Sequence, residues 1–316
     1  MPMNKHVVDR HLLAVVCFWL LAALALSAQP APKATEGFIA VPGGKVWYQV
    51  LGADKPGVPL LLLHGGPGSS STSFAGFAAL ADERPVILYD QLGCGKSDRP
   101  ADPGLWTLAR FVDELDVVVK ALNYPRLHLL GHSWGTTLAT EYLLRKKPKS
   151  VVSLVQSSPL LDTPRWVADA NRYIAQLPPA AQAALRRYDA TDAPGKKAYQ
   201  DAITLYNRQH LYRNGPLPPS KSFFGTAVYE TMWGPDESQC TGNLRSYSSA
   251  AHLQDLTVPT LYLCGQYDEA TPTSTAYFQQ LTPRSRLVVF ANASHKAYLE
   301  VPDQYFRTVR EFLHQD

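Results

Sequence analysis

The apolar segment Leu127–Leu130 runs directly into Gly131-His132-Ser133-Trp134-Gly135, and residues 134–146 then read as a helix. A strand that turns into a helix with no linker crowds its own backbone, so glycine is needed on both sides of the bend. Such a turn lifts the central side chain above the edge of a sheet. Other short apolar runs fit the same sheet. Leu60–Leu63 stops at His64-Gly65-Gly66-Pro67-Gly68, and Val86–Tyr89 stops at Asp90. Val151–Val155, Thr260–Cys264 and Arg286–Phe290 are further candidates. Continuous apolar runs of this length suit strands buried on both faces. Residues 107–122 carry apolar positions at Leu108, Phe111, Val112, Leu115, Val118, Val119 and Leu122, a helical period. Strands alternating with helices predict an α/β fold with a mostly parallel sheet and right-handed crossovers.

Phe38–Val41 and Lys45–Leu51 predict a hairpin around Pro42-Gly43-Gly44. Between about Leu161 and Gln254 the strand rhythm stops. Residues 164–176, 179–189, 195–211 and 222–233 read as helices, divided by proline and glycine. A last helix is predicted over about 303–314. The organisation is therefore a core of 37–160 and 255–316, interrupted by a helical cap at 161–254.

The N-terminus reads differently. Lys5 and Arg10 precede an apolar run from Leu12 to Leu26, followed by Ser27-Ala28 and then Gln29-Pro30-Ala31-Pro32. The run falls short of the roughly 20 residues of a spanning helix. A basic start, a short apolar stretch and a small residue at the boundary describe a signal peptide, 1–28, followed by a linker, 29–36. The expectation is an exported chain with no stable membrane association after cleavage. Export permits disulfides, but Cys94, Cys240 and Cys264 cannot form a framework and read as packing residues. No Cys/His spacing for zinc is present. Hydrophobic residues make up 46% and charged residues 18%, which excludes intrinsic disorder. A net charge of +3 gives no electrostatic footprint for nucleic acid.

Ser133 sits where an activated nucleophile would stand. A serine hydroxyl needs a base, and the base an orienting carboxylate. Of His210, His252, His295 and His314 downstream, only His295 follows a late strand in a loop. Asp268 follows Thr260–Cys264 in the same way; Asp303 reads as the cap of the last helix. Loops at the carboxyl edge of a parallel sheet converge, so Ser133, Asp268 and His295 are the candidate catalytic triad. An oxyanion needs two N–H donors. Trp134, directly after the serine, supplies one amide; Gly66 is chosen for the other, with Gly65 as the alternative.

HGGPG at 64–68, DQLGCGKSDRP at 90–100, GHSWGT at 131–136 and GQYDEATP at 265–272 together resemble the proline iminopeptidase (prolyl aminopeptidase) family of serine peptidases, which have the α/β-hydrolase fold. The likeness runs from about residue 37 to the C-terminus, and Trp233-Gly234-Pro235-Asp236-Glu237 resembles a segment of that family's cap. Two departures are Thr136, where glycine is frequent, and Tyr247, where tryptophan is. The resemblance implies release of an N-terminal residue, often proline, from a peptide, with no metal or cofactor. It also implies that Glu237 and Glu269 hold the substrate's amine, and a desolvated cationic amine does require such a partner. Trp134, Phe74, Phe223, Phe224, Tyr229 and Trp233 are candidates for an apolar pocket, each also readable as core. The expected substrate is a small peptide or amino acid derivative. An amino acid amidase or esterase on the same scaffold is the rival reading, and a catalytically silent binding protein a more distant one.

Overall fold

The computed structural model describes residues 34–187, 193–215, 223–236 and 238–315. Residues 1–28, for which a signal peptide is expected, residues 29–33 and Glu237 lie outside the described residues. The fold is an eight-stranded sheet in the order β1-β2-β4-β3-β5-β6-β7-β8. β1 (Ala34–Val41) and β2 (Gly44–Leu51) form the antiparallel hairpin, and β2 pairs antiparallel with β4 (Val86–Tyr89). β3 (Leu60–Leu63), β4, β5 (Leu127–His132), β6 (Val151–Ser157), β7 (Thr260–Gly265) and β8 (Ser285–Phe290) run parallel. The hairpin begins earlier than its apolar pattern. Ala34 already pairs with Leu51, so residues 34–36 of the expected linker belong to the strand.

Side-chain alternation explains why the central strands are apolar throughout. Leu61 and Leu63 of β3, with Ile87, Tyr89 and Leu129, join one core cluster. There they meet Phe111, Leu115 and Val118 of α1 (Leu108–Leu122) and Leu138 and Tyr142 of α2 (Trp134–Lys146). Leu60, Leu62, Val86, Leu88 and Leu130 join a second cluster. That cluster holds Phe74, Phe77 and Leu80 of a 3-10 segment, Ser71–Asp82, and Tyr305, Val309 and Phe312 of α9 (Pro302–Leu313). Each fully buried leucine is worth about 1.5–3 kcal/mol, so helices on both faces stabilise the same strand.

Among the described residues four α-helices lie between β6 and β7: α3 (Thr163–Ile174), α4 (Pro179–Arg186), α5 (Ala193–His210) and α6 (Thr226–Met232). The first three carry a hydrophobic cluster of their own, built on Ile174, Leu177, Leu185, Tyr199 and Tyr206, whereas Val228 and Met232 of α6 join the main core. The two ends of the insertion lie side by side. Thr163 N donates to Tyr247 O at 2.8 Å, and Ser249 N to Leu161 O at 2.9 Å. Among the described residues two α-helices have no counterpart in the sequence reading, α7 (Pro272–Leu281) and the short α8 (Ala297–Glu300). Asp303 lies in the first turn of α9 behind Pro302 and is not the cap, which is Val301.

Candidate active site

Ser133 stands at the junction of β5 and α2 with φ 55° and ψ −122°, a strained backbone for a residue with a side chain. The glycines on either side follow from contact. A Cβ on Gly131 would run into the Gly135 carbonyl, and one on Gly135 into the Leu63 carbonyl. The turn is anchored by Ser133 N donating to Ser157 O at 3.0 Å. Thr136 has a use for its hydroxyl: it donates to Ser133 O at 2.6 Å and accepts from Leu160 N at 2.9 Å.

The candidate base and acid meet although 27 residues separate them. His295 Nδ1 donates to Asp268 Oδ1 at 2.8 Å, which leaves Nε2 as the lone-pair nitrogen. Asp268 is fully buried. Its other donors are Ala270 N at 2.8 Å, Gly265 N at 3.2 Å and Ser158 Oγ at 2.7 Å. Four donors to one carboxylate hold it fixed. Ser158 is a residue that sequence reasoning missed. It leaves β6 with φ 51° and its N–H donates to Leu263 O at 2.7 Å. No sequence signal singles it out, because its partner lies 110 residues away.

Burial by itself would lower the pKa of His295. The charges of Asp268 and Glu269 and the Asp268 hydrogen bond outweigh burial and the opposing Lys296 charge, and lift it above 6.5. Its neighbour His132, 4.6 Å away between ring centroids, is held well below that value by burial and by the His295 and Lys296 charges. A serine hydrolase needs the base neutral. We therefore expect kcat/KM to fall as pH drops through a midpoint above 6.5. A pH–rate profile with its acid limb below 6.5 would contradict this.

A cavity of about 380 Å³ opens over Ser133 and His295, lined also by Gly65, Gly66 and Glu269. Glu269 Oε1 lies 3.6 Å from His295 Nε2. Gly66 has φ +114°, a conformation glycine tolerates. The loop that holds it is braced from the DQLGCGKS segment. Gln91 N donates to His64 Nε2 at 3.0 Å, and Gln91 Nε2 to His64 O at 3.1 Å. Gln91 Oε1 in turn accepts from the Trp134 indole at 2.8 Å. Asp90 accepts from Ser71 N and Lys96 N, and a Cβ on Gly95 would run into its carboxylate. This motif therefore ties together the two backbone segments, at Gly66 and Trp134, that could face an oxyanion.

The aromatic candidates divide. Trp134 and Phe74 are core. Phe224, Tyr229 and Trp233 line the cavity, whereas Phe223 does not. Trp166 of α3 also lines it, edge-on to the His295 ring at 5.7 Å, and was not anticipated. Pro235 lines it too, close in sequence to Glu237, whose own position lies outside the described residues. Cys94 and Cys264 are buried and Cys240 partly so, with all three thiols free. Burial pushes the Cys240 thiol up to about 11 and the other two higher still. None is a nucleophile at neutral pH.

Residues 58–302 match the α/β hydrolase fold family. The chain is 44% identical to a proline iminopeptidase of Heyndrickxia coagulans over 285 residues, covering 88% of this chain and 98% of that one. It is 36% identical to a proline iminopeptidase of Lactobacillus crispatus, covering 89% and 98%. Among solved structures it superposes on a proline iminopeptidase of Mycobacterium smegmatis with a TM-score of 0.82. That pair is 36% identical, with 89% of this chain and 98% of the other covered.

Proposed function

The chain belongs to the proline iminopeptidase family of the α/β-hydrolase fold, as a prolyl aminopeptidase-like serine hydrolase, and from that premise we propose that it releases an N-terminal residue, preferentially proline, from short peptides through an acyl-enzyme. One observation carries the reading: His295, held by a 2.8 Å hydrogen bond to Asp268, lines the same cavity as Ser133 and Glu269.

In this reading Ser133 Oγ attacks the first peptide carbonyl while His295 Nε2 accepts its proton. Asp268 keeps the imidazole in the tautomer that presents Nε2 and stabilises the imidazolium that forms. The amides of Gly66 and Trp134 donate to the oxyanion, and the amide at the start of α2 adds the positive end of a helix. The imidazolium then protonates the departing amine. Water, deprotonated by the same His295, attacks the acyl-Ser133 ester and restores the enzyme. Glu269, with Glu237, accepts the substrate's ammonium group and so places the first carbonyl over Ser133. The rings of Phe224, Tyr229 and Trp233 supply apolar surface for a pyrrolidine. Hydrolysis of prolyl-aminomethylcoumarin compared with its N-acetylated form tests this reading.

We infer also that residues 1–28 direct export and are removed. The support is the sequence pattern of Lys5 and Arg10, the apolar run to Leu26 and the small pair Ser27-Ala28. Intact mass of protein recovered from the exported fraction should correspond to a chain beginning at or near Gln29. A chain there that still carries Met1–Ala28 would refute cleavage.

A further inference from the structure

His210 closes α5, the longest helix of the insertion, and no part of the reaction above uses it. It is nonetheless bonded to both loops that carry the acid and the base. Its carbonyl oxygen accepts from His295 N at 3.1 Å and from Glu269 N at 3.3 Å. Its Nδ1 lies 2.9 Å from the carbonyl oxygen of Tyr267, the residue before Asp268. A carbonyl only accepts, so Nδ1 carries the proton. The ring lies flat on Tyr173, with centroids 3.8 Å apart and planes 10° apart, and Tyr206 stands 5.0 Å away.

The following residues continue the attachment. Leu211 O accepts from Lys296 N at 3.2 Å. Arg213 N donates to the Glu300 carboxylate, which also accepts from the Ser294 hydroxyl at 2.9 Å. The loops after β7 and β8 leave the sheet here, and their N–H groups need partners that the strands no longer provide. The end of α5 supplies those partners to Glu269, His295 and Lys296.

We propose that His210 is a positioning residue: through its carbonyl and Nδ1–H it holds the Asp268–His295 pair and Glu269 in register, so that the helical insertion is a working part of the catalytic apparatus as well as its cover. The inference rests on the reading of Ser133, Asp268 and His295 given above. The groups facing the His210 ring are Tyr173, Tyr206, Asp268 and Arg213. Burial keeps its pKa below the ordinary imidazole value, so the neutral donor form is the one present at neutral pH. The groups facing His295 are Asp268, Glu269, Lys296, His132 and the Trp166 ring.

The test compares His210→Phe, which keeps a ring for Tyr173 and removes the donor, with His210→Asn, which keeps an N–H near the Nδ1 position. Active sites are counted by fluorophosphonate labelling, so that rates are per labelled site. Losing one such hydrogen bond should lower kcat of the Phe variant about 3- to 10-fold. Its acid limb should also move to lower pH, because looser Asp268 and Glu269 raise the His295 pKa less. KM for a small neutral ester should stay within about threefold, and His210→Asn should recover most of kcat and the wild-type limb. A merely structural role would reduce the labelled fraction and the melting temperature while leaving per-site kcat and the pH profile unchanged. That result overturns the proposal, as would an Asn variant that falls as far as Phe. If His210→Phe does not fold, His210→Asn decides by itself, since a shifted acid limb in a variant that keeps the donor refutes the assignment. Failure of wild-type protein to take the label would defeat the functional reading itself, and this inference with it.

Discussion

Ser133→Ala should fold with an unchanged melting temperature and lose turnover by about 10⁶-fold, the scale set by removing the nucleophile from a working triad. The fold should survive because the change removes one oxygen and leaves the features that shape the turn. The crowding at Gly131 and Gly135 and the Ser133 N–H to Ser157 O bond are untouched. The loss should fall on peptide and ester substrates alike, since both pass through attack by the same oxygen. Turnover within tenfold of wild type would show that Ser133 is not the nucleophile.

The second large effect separates recognition from chemistry. Glu269→Gln should lower kcat/KM for prolyl peptides by about 10- to 150-fold. This is the rate equivalent of losing a charge-assisted hydrogen bond worth about 1.5–3 kcal/mol. Hydrolysis of a small neutral ester, measured on the pH plateau, should be nearly unaffected, because the ester has no amine to hold. The variant should differ in pH dependence too. The Glu269 charge is one of the causes that raise the His295 pKa. Removing it should therefore move the acid limb down, whereas a triad that simply weakened at every pH would lose rate without shifting the limb. Equal losses on peptide and ester would mean that Glu269 supports the loop of Asp268 and does not read the amine.

Much of the fold and of the candidate site is written in local patterns. Leu60–Leu63 and Val86–Tyr89 are apolar at every position because helices cover both faces of the sheet. Gly131 and Gly135 mark a turn too crowded for a Cβ at either position. Asp268 and His295 were legible because each follows a strand at the same sheet edge. The less legible residues owe their place to distant partners. Ser158 bonds an aspartate 110 positions later. His210 looks like the end of a surface helix, and only the fold brings its carbonyl to His295 N. Trp166 reads as one apolar residue among several in a helix. The 3-10 segment Ser71–Asp82 was missed for another reason: it is kinked at Phe74 and follows no clean 3.6-residue period. The edge strand β1 starts with Ala34-Thr35-Glu36, exposed residues whose strand conformation comes from pairing with β2 rather than from burial.

The most direct test is the rate at which wild-type enzyme releases aminomethylcoumarin from the prolyl conjugate and from its N-acetylated form, with Ser133→Ala as the blank. The account predicts rapid cleavage of the free-amine substrate and at least a tenfold lower kcat/KM for the acetylated one, because acetylation removes the charge that Glu269 holds. Equal cleavage of the two, or cleavage of neither by protein whose Ser133 takes a fluorophosphonate label, would contradict an aminopeptidase that reads a free N-terminus.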